Sequence, residues 1–161
     1  MYFEEKIERL KQSLLSDDFS IPFTNGTQIL KTIESKFITV KDIVGDLNNL
    51  QEYHSNWAEN VKYKTRVRLV DLKETSEWLD RLDSEKKYWI VVASRKTPNK
   101  KHLVYDCSPK AIAALVSIVD NDFFIVDKKY NWFSYFLIDR ETNQAIIHKS
   151  GTNITPFDKK R

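Results

Sequence analysis

Three glycines, four prolines and a single cysteine in 161 residues are the scarcities of this sequence. One cysteine, Cys107, excludes an internal disulfide and any zinc site built on several thiolates. It fits a reducing compartment, and the thiol is expected to behave as a small buried hydrophobe. Three glycines leave little room for a phosphate-cradling loop, and neither GxGxxG nor GxxxxGK[ST] occurs. A serine nucleophile elbow is also missing. The three histidines, His54, His102 and His148, lie too far apart to form a ligand-spaced pair. No cofactor is therefore expected. The longest apolar run, "AIAALVSIV", is far too short to span a bilayer. The opening "MYFEEKIERL" is charged throughout, unlike a secretory signal. These features predict a cytoplasmic protein.

Apolar residues make up 41% of the chain and charged residues 30%, a globular composition long enough for one core. No Gly/Ser linker or repeat divides it. The reading is one α+β domain over residues 1–161, with a short basic tail at 152–161 that includes "TPFDKKR". The net charge is +3, unevenly spread. Residues 1–80 hold eleven Lys/Arg against fourteen Asp/Glu, whereas residues 81–161 hold fifteen against nine. Such asymmetry favours an acidic partner for the second half.

Phe3, Ile7, Leu10 and Leu14 fall on one helical face. "DDFSIPFT" breaks that helix, and Asn25 with Gln28 resembles a capping box before Ile29, Leu30 and Ile33. A third helix is expected from Thr39, with a loop over "QEYHSNWAEN". "VKYKTRVRL" then alternates from Val61 to Leu69, the period of a half-buried strand. Asp71 with Glu74 predicts a helix start, and Ser108-Pro109 predicts another, with Ser at the N-cap and Pro at the first helical position. "YWIVVA" and "HLVYDC" read as neighbouring antiparallel strands, and three more are expected at Phe123–Asp127, Trp132–Asp139 and Gln144–Lys149. The expected architecture is a helical N-terminal third followed by a mostly antiparallel sheet of five to six strands, with two helices packed on it.

Three surfaces carry candidate chemistry. In "VDKKYNW", Asp127 and Asn131 bracket a turn that gathers Lys128, Lys129, Tyr130 and Trp132, a candidate protein-binding cluster. On a regular strand, Lys62, Lys64, Arg66 and Arg68 would stand about 6.5–7 Å apart in one row. That row suits an acidic protein or the phosphates of nucleic acid, and it equally suits a guard against edge-to-edge pairing. Third, Asp106 at one strand end and Asp127-Lys128-Lys129 at another loosely resemble the PD-(D/E)xK pattern of metal-dependent nucleases. That resemblance implies Asp106 and Asp127 as metal ligands and Lys129 as the lysine steadying the attacking water. Departures are the missing proline before Asp106, the intervening helix from Pro109, and an upstream acid represented only by Glu74 or Glu77.

The run "DFFIVDKKYNWFSYFLIDRETNQAIIHKSG", preceded by "YWIVVASRKTPNKKHLVYDC", resembles a group of small uncharacterised bacterial proteins. Their C-terminal halves carry a KKYxW segment after a Trp-apolar-apolar strand, and their genes often lie among polymorphic-toxin and immunity genes. The resemblance covers residues 87–151. It implies a non-enzymatic immunity protein, an antitoxin that binds a toxin domain and occludes its active surface. The alternative is a nucleic-acid-binding protein, or a nuclease using Asp106, Asp127 and Lys129.

Overall fold

The computed structural model describes residues 8–10, 12, 14, 18–20, 26–39, 57, 59–62, 65–80, 82–92, 104–116, 123–139 and 141–151. Strands are β1 (Phe19–Ser20), β2 (Thr65–Asp71), β3 (Tyr88–Val92), β4 (Val104–Cys107), β5 (Phe123–Asp127), β6 (Trp132–Asp139) and β7 (Gln144–Gly151). Helices are α1 (Gly26–Phe37), α2 (Leu72–Leu79) and α3 (Pro109–Val116). The strands form one sheet in the order β1-β4-β3-β5-β6-β7-β2, and every pairing is antiparallel. The fold is α+β, with seven strands in place of five to six. The added strand, β1, lies in "DDFSIPFT", where only a helix break is legible, because two residues are too few to show a period.

Local chemistry places the helices. The Asp71 carboxylate accepts the Glu74 amide at 2.7 Å and starts α2. Ser108 Oγ accepts the Ala111 amide at 3.2 Å and starts α3, with Pro109 at its first position. Alternation along the central strands then sorts side chains onto two faces. On one face Ile90, Tyr105, Phe123, Ile125, Phe136 and Ile147 pack beneath Leu79 of α2 and Ala111 and Ile112 of α3. On the other, Val91, Phe124, Val126, Phe133 and Tyr135 pack beneath Ile29, Leu30, Ile33 and Phe37 of α1.

Both faces are therefore covered, not one. The second cover includes Trp57, which is fully buried and helical although "QEYHSNWAEN" reads as a loop. Its ring meets Phe124 at 5.6 Å and Phe133 at 6.2 Å, edge-on, and its indole N–H donates to Glu34 Oε2 at 2.9 Å. Tertiary contact with the sheet fixes this residue, and no local period announces it.

The expected N-terminal helix appears as helical residues 8–10, with Leu10 and Leu14 packed against the first core cluster. For the third helix, Ile38 bridges Val61 and Thr39 is a bend, while residues 40–50 lie outside the described residues. The basic tail also lies outside them. Among the described residues no helix is long and apolar enough to cross a membrane.

Candidate functional site

The turn joining β5 to β6 is built on one carboxylate. Asp127 Oδ1 accepts the backbone amides of Asn131 at 2.6 Å and Trp132 at 3.0 Å, and its carbonyl accepts the Tyr130 amide at 2.9 Å. An Asp at the first turn position is favoured because it satisfies amides that the strand ladder has left. Tyr130 occupies the left-handed region with φ 56°, uncommon for an aromatic residue. Tertiary contacts hold it there. The ring packs against the core beneath α1. Burial pushes the Tyr130 phenol up from its ordinary value, opposed by the nearby donors of Trp89 and Thr32.

The four residues of the proposed binding cluster separate in space. Trp132 is only 5% exposed and packs its ring 5.8 Å from Tyr88, so it belongs to the core and offers no anchor to a partner. Tyr130 is half-buried, and Lys129 and Asn131 are exposed at the tip. Lys128 folds back over the sheet. Its ammonium lies 2.8 Å from Asp106 Oδ2 and 4.5 Å from the centre of the Trp89 ring.

Register decides the nuclease-like arrangement. Asp106 pairs with Trp89, whereas Asp127 pairs with Tyr88, the next residue of β3. Adjacent residues of a strand face opposite sides of the sheet, so the two acids stand on opposite faces. They also sit on strands with β3 between them, about 9–10 Å apart in the pairing direction. Each carboxylate is engaged locally, Asp106 by Lys128 and Asp127 by the turn amides. Lys128, not Lys129, is the lysine that reaches an acid. Two ligands on opposite faces do not converge on one ion at 2.0–2.6 Å, a range set by metal–ligand bonding at roughly those lengths. Among the described residues no group of three or more His, Cys, Asp or Glu is placed to hold a metal. Cys107 is fully buried, and burial followed by the Asp106 charge pushes its thiol well above the ordinary value.

The basic row is also broken. β2 pairs with β7 through a bulge between Arg66 and Arg68, which oppose His148 and Ile147. Those partners are consecutive, so the period of two fails between the two arginines. Lys62 precedes the strand in a turn and donates its ammonium to the Ser35 carbonyl at 3.2 Å, near the C-terminal end of α1, where a cation is favoured. Lys64 lies outside the described residues. An unbroken line of four cations is thus not what the backbone builds. A bulge leaves no mark in a regular alternation, because it is a property of the pairing.

Sequence reasoning also misses how the β7 terminus joins these parts. Gly151 pairs with Trp132 and lies so close to the turn that an added Cβ would overlap the Asn131 carbonyl oxygen. The Ser150 hydroxyl donates to the Lys62 carbonyl. The "KSG" at 149–151 is the sole hint, and only the glycine is a conformational signal.

These features define a class: a small α+β domain with one antiparallel sheet covered on both faces, whose acids and rings at the β5–β6 end hold backbone in place. Within that class, the chain belongs to a family of unknown function, DUF6756, whose family model matches residues 3–150. Comparisons with curated proteins and with solved structures give no match.

Proposed function

We propose that this protein is a non-enzymatic protein-binding protein, an immunity protein that neutralises a bacterial toxin domain by covering its active surface. The observation that carries the reading is how closely the β5–β6 turn is tied down by its own contacts. Asp127 takes two backbone amides on one oxygen, Lys128 is held by Asp106, and Tyr130 packs against the core beneath α1. A turn so held presents Lys129 and Asn131 without paying for their ordering on association, which is how preorganised surfaces gain affinity. The acids that would serve catalysis are engaged in this scaffolding. The resemblance over residues 87–151 supplies the partner class, and a cytoplasmic location suits the reduced Cys107.

Co-expression with the toxin domain encoded nearest to this chain tests the reading. A stoichiometric complex on size exclusion, together with restored growth, is expected. Growth arrest that persists while the soluble chain accumulates, with no complex formed, would overturn it.

A further inference from the structure

The carboxylate of Asp106 and the ring of Trp89 stand together on the α1 side of the sheet. The two residues are direct partners across β4 and β3, so their side chains share a face. Trp89 is half-buried and packs against the core cluster beneath α1. Lys128 lies over both groups, its ammonium 2.8 Å from Asp106 Oδ2 and 4.5 Å from the centre of the Trp89 ring. A carboxylate beside an aromatic face is an arrangement that recognises an organic cation, and here the chain supplies its own. Lys128 keeps 38% of its side chain exposed, and the turn that carries it is held by the Asp127 carboxylate. Its ammonium can therefore leave without unmaking the turn.

We propose that Asp106 and Trp89 form a seat for an arginine of the protein partner, with Lys128 as the resident cation that the arginine displaces on docking. This rests on the binding function proposed above and names the group that is recognised. A guanidinium suits the seat better than an ammonium. It is planar and stacks on the indole, it is more weakly hydrated, and it offers the carboxylate a fork of donors where lysine offers a point charge. Against it, the tethered lysine acts at an effective concentration on the order of millimolar. Free arginine therefore binds the wild type weakly, and an arginine carried by a partner already in contact is the one that takes the seat. The displaced ammonium joins exposed Lys129 at the turn tip, so an arginine flanked by acids is the partner surface that matches both signs. Nucleic acid offers no cation, and the Asp106 charge repels its phosphates.

The test is an NMR titration of the full chain with N-acetyl-arginine amide, followed at the Trp89 indole N–H, which Trp89→Phe assigns. Lys128→Ala vacates the seat and Asp106→Asn removes its charge, so the two changes move affinity in opposite directions. Lys128→Ala should bind about tenfold more tightly than the wild type, and adding Asp106→Asn should cancel that gain. Lys73→Ala removes the same charge from an exposed position on α2 and should stay within about twofold of the wild type. Lys128→Gln, which keeps most of the stem over the ring, is titrated alongside and should also gain, with the dispersion of the other amides verifying that each variant is folded. No saturable shift of the Trp89 indole on either Lys128 variant, an equal gain in Lys73→Ala, or a gain that survives Asp106→Asn would each overturn the seat. A toxin domain neutralised equally by wild type and Asp106→Asn overturns the seat as a docking contact while the binding function stands. A chain whose seat takes arginine but which neutralises no toxin overturns the immunity reading alone.

Discussion

Lys128 reaches back from the turn after β5 to place its ammonium 2.8 Å from Asp106 on β4, with the Trp89 ring of the intervening strand 4.5 Å away. The pair is partly exposed, at 38% for the lysine and 19% for the acid. Solvent screening therefore limits its strength. Asp106 Oδ1 is nevertheless buried with no hydrogen-bond partner among the described residues, where the lysine is the principal compensation for this carboxylate. Lys128→Met should cost about 1–2 kcal/mol in urea unfolding, Asp106→Asn about 1 kcal/mol, and the double variant less than their sum. Strictly additive losses would show that the two charges do not support each other.

The β7 terminus gives a sharper backbone test. Gly151 has φ 99°, a region costly for residues with a side chain, and its would-be Cβ stands 2.7 Å from Trp132 Cα. Neither neighbour can yield, since both are backbone. Gly151→Ala should destabilise by about 2–3 kcal/mol and lower Tm by several degrees. Asn143 also has a positive φ, 58°, but is exposed in the β6–β7 turn. Asn143→Gly should leave Tm nearly unchanged, and a loss there matching Gly151→Ala would refute the packing explanation.

Features governed by near neighbours are legible in the sequence. Ser108-Pro109 and the Asp71–Glu74 pair announce α3 and α2 because a cap is decided three residues away. The nearly unbroken apolar run of β6 announces a strand because a strand buried on both faces needs no particular partner to read so. What escapes is set by distant chain. Trp57 is buried by Phe124 and Phe133, residues far along the sequence. The bulge between Arg66 and Arg68 exists only relative to β7. That Asp106 and Asp127 stand on opposite faces of the sheet follows from their pairing with adjacent residues of β3, and pairing register is invisible to local pattern.

Alkaline pH should weaken the fold. Burial raises the Cys107 thiol well above 9.0, with the Asp106 charge adding to it, and burial raises the Tyr88 phenol above 10.0. For each, the folded state holds its proton more tightly than the unfolded chain. Stability from these groups is therefore complete below the unfolded values and falls as pH climbs past about 9, then past about 10, toward the folded values. The urea midpoint should be level from about pH 7 to 8 and decline above about 9 on that scale. Cys107→Ala should remove the earlier part of the decline. A thiol reagent should label Cys107 only on unfolding, and rapid labelling of the native protein would contradict its burial.

Asp127 separates scaffold from catalyst. If its carboxylate organises the turn, as the amides of Asn131 and Trp132 indicate, an acceptor at Oδ1 is what matters and the charge is secondary. Asp127→Asn keeps that acceptor and should cost less than about 0.5 kcal/mol, whereas Asp127→Ala should cost about 1–2 kcal/mol by stranding two amides at a strand start. A metal ligand would reverse the ranking of consequences: Asn would abolish magnesium-dependent cleavage of nucleic acid as completely as Ala, while stability stayed near wild type. Urea unfolding of both variants, with a cleavage assay on the wild type, decides between them. Stability loss graded from Asn to Ala, with no cleavage to lose, is the outcome that places Asp127 in the framework of a binding surface.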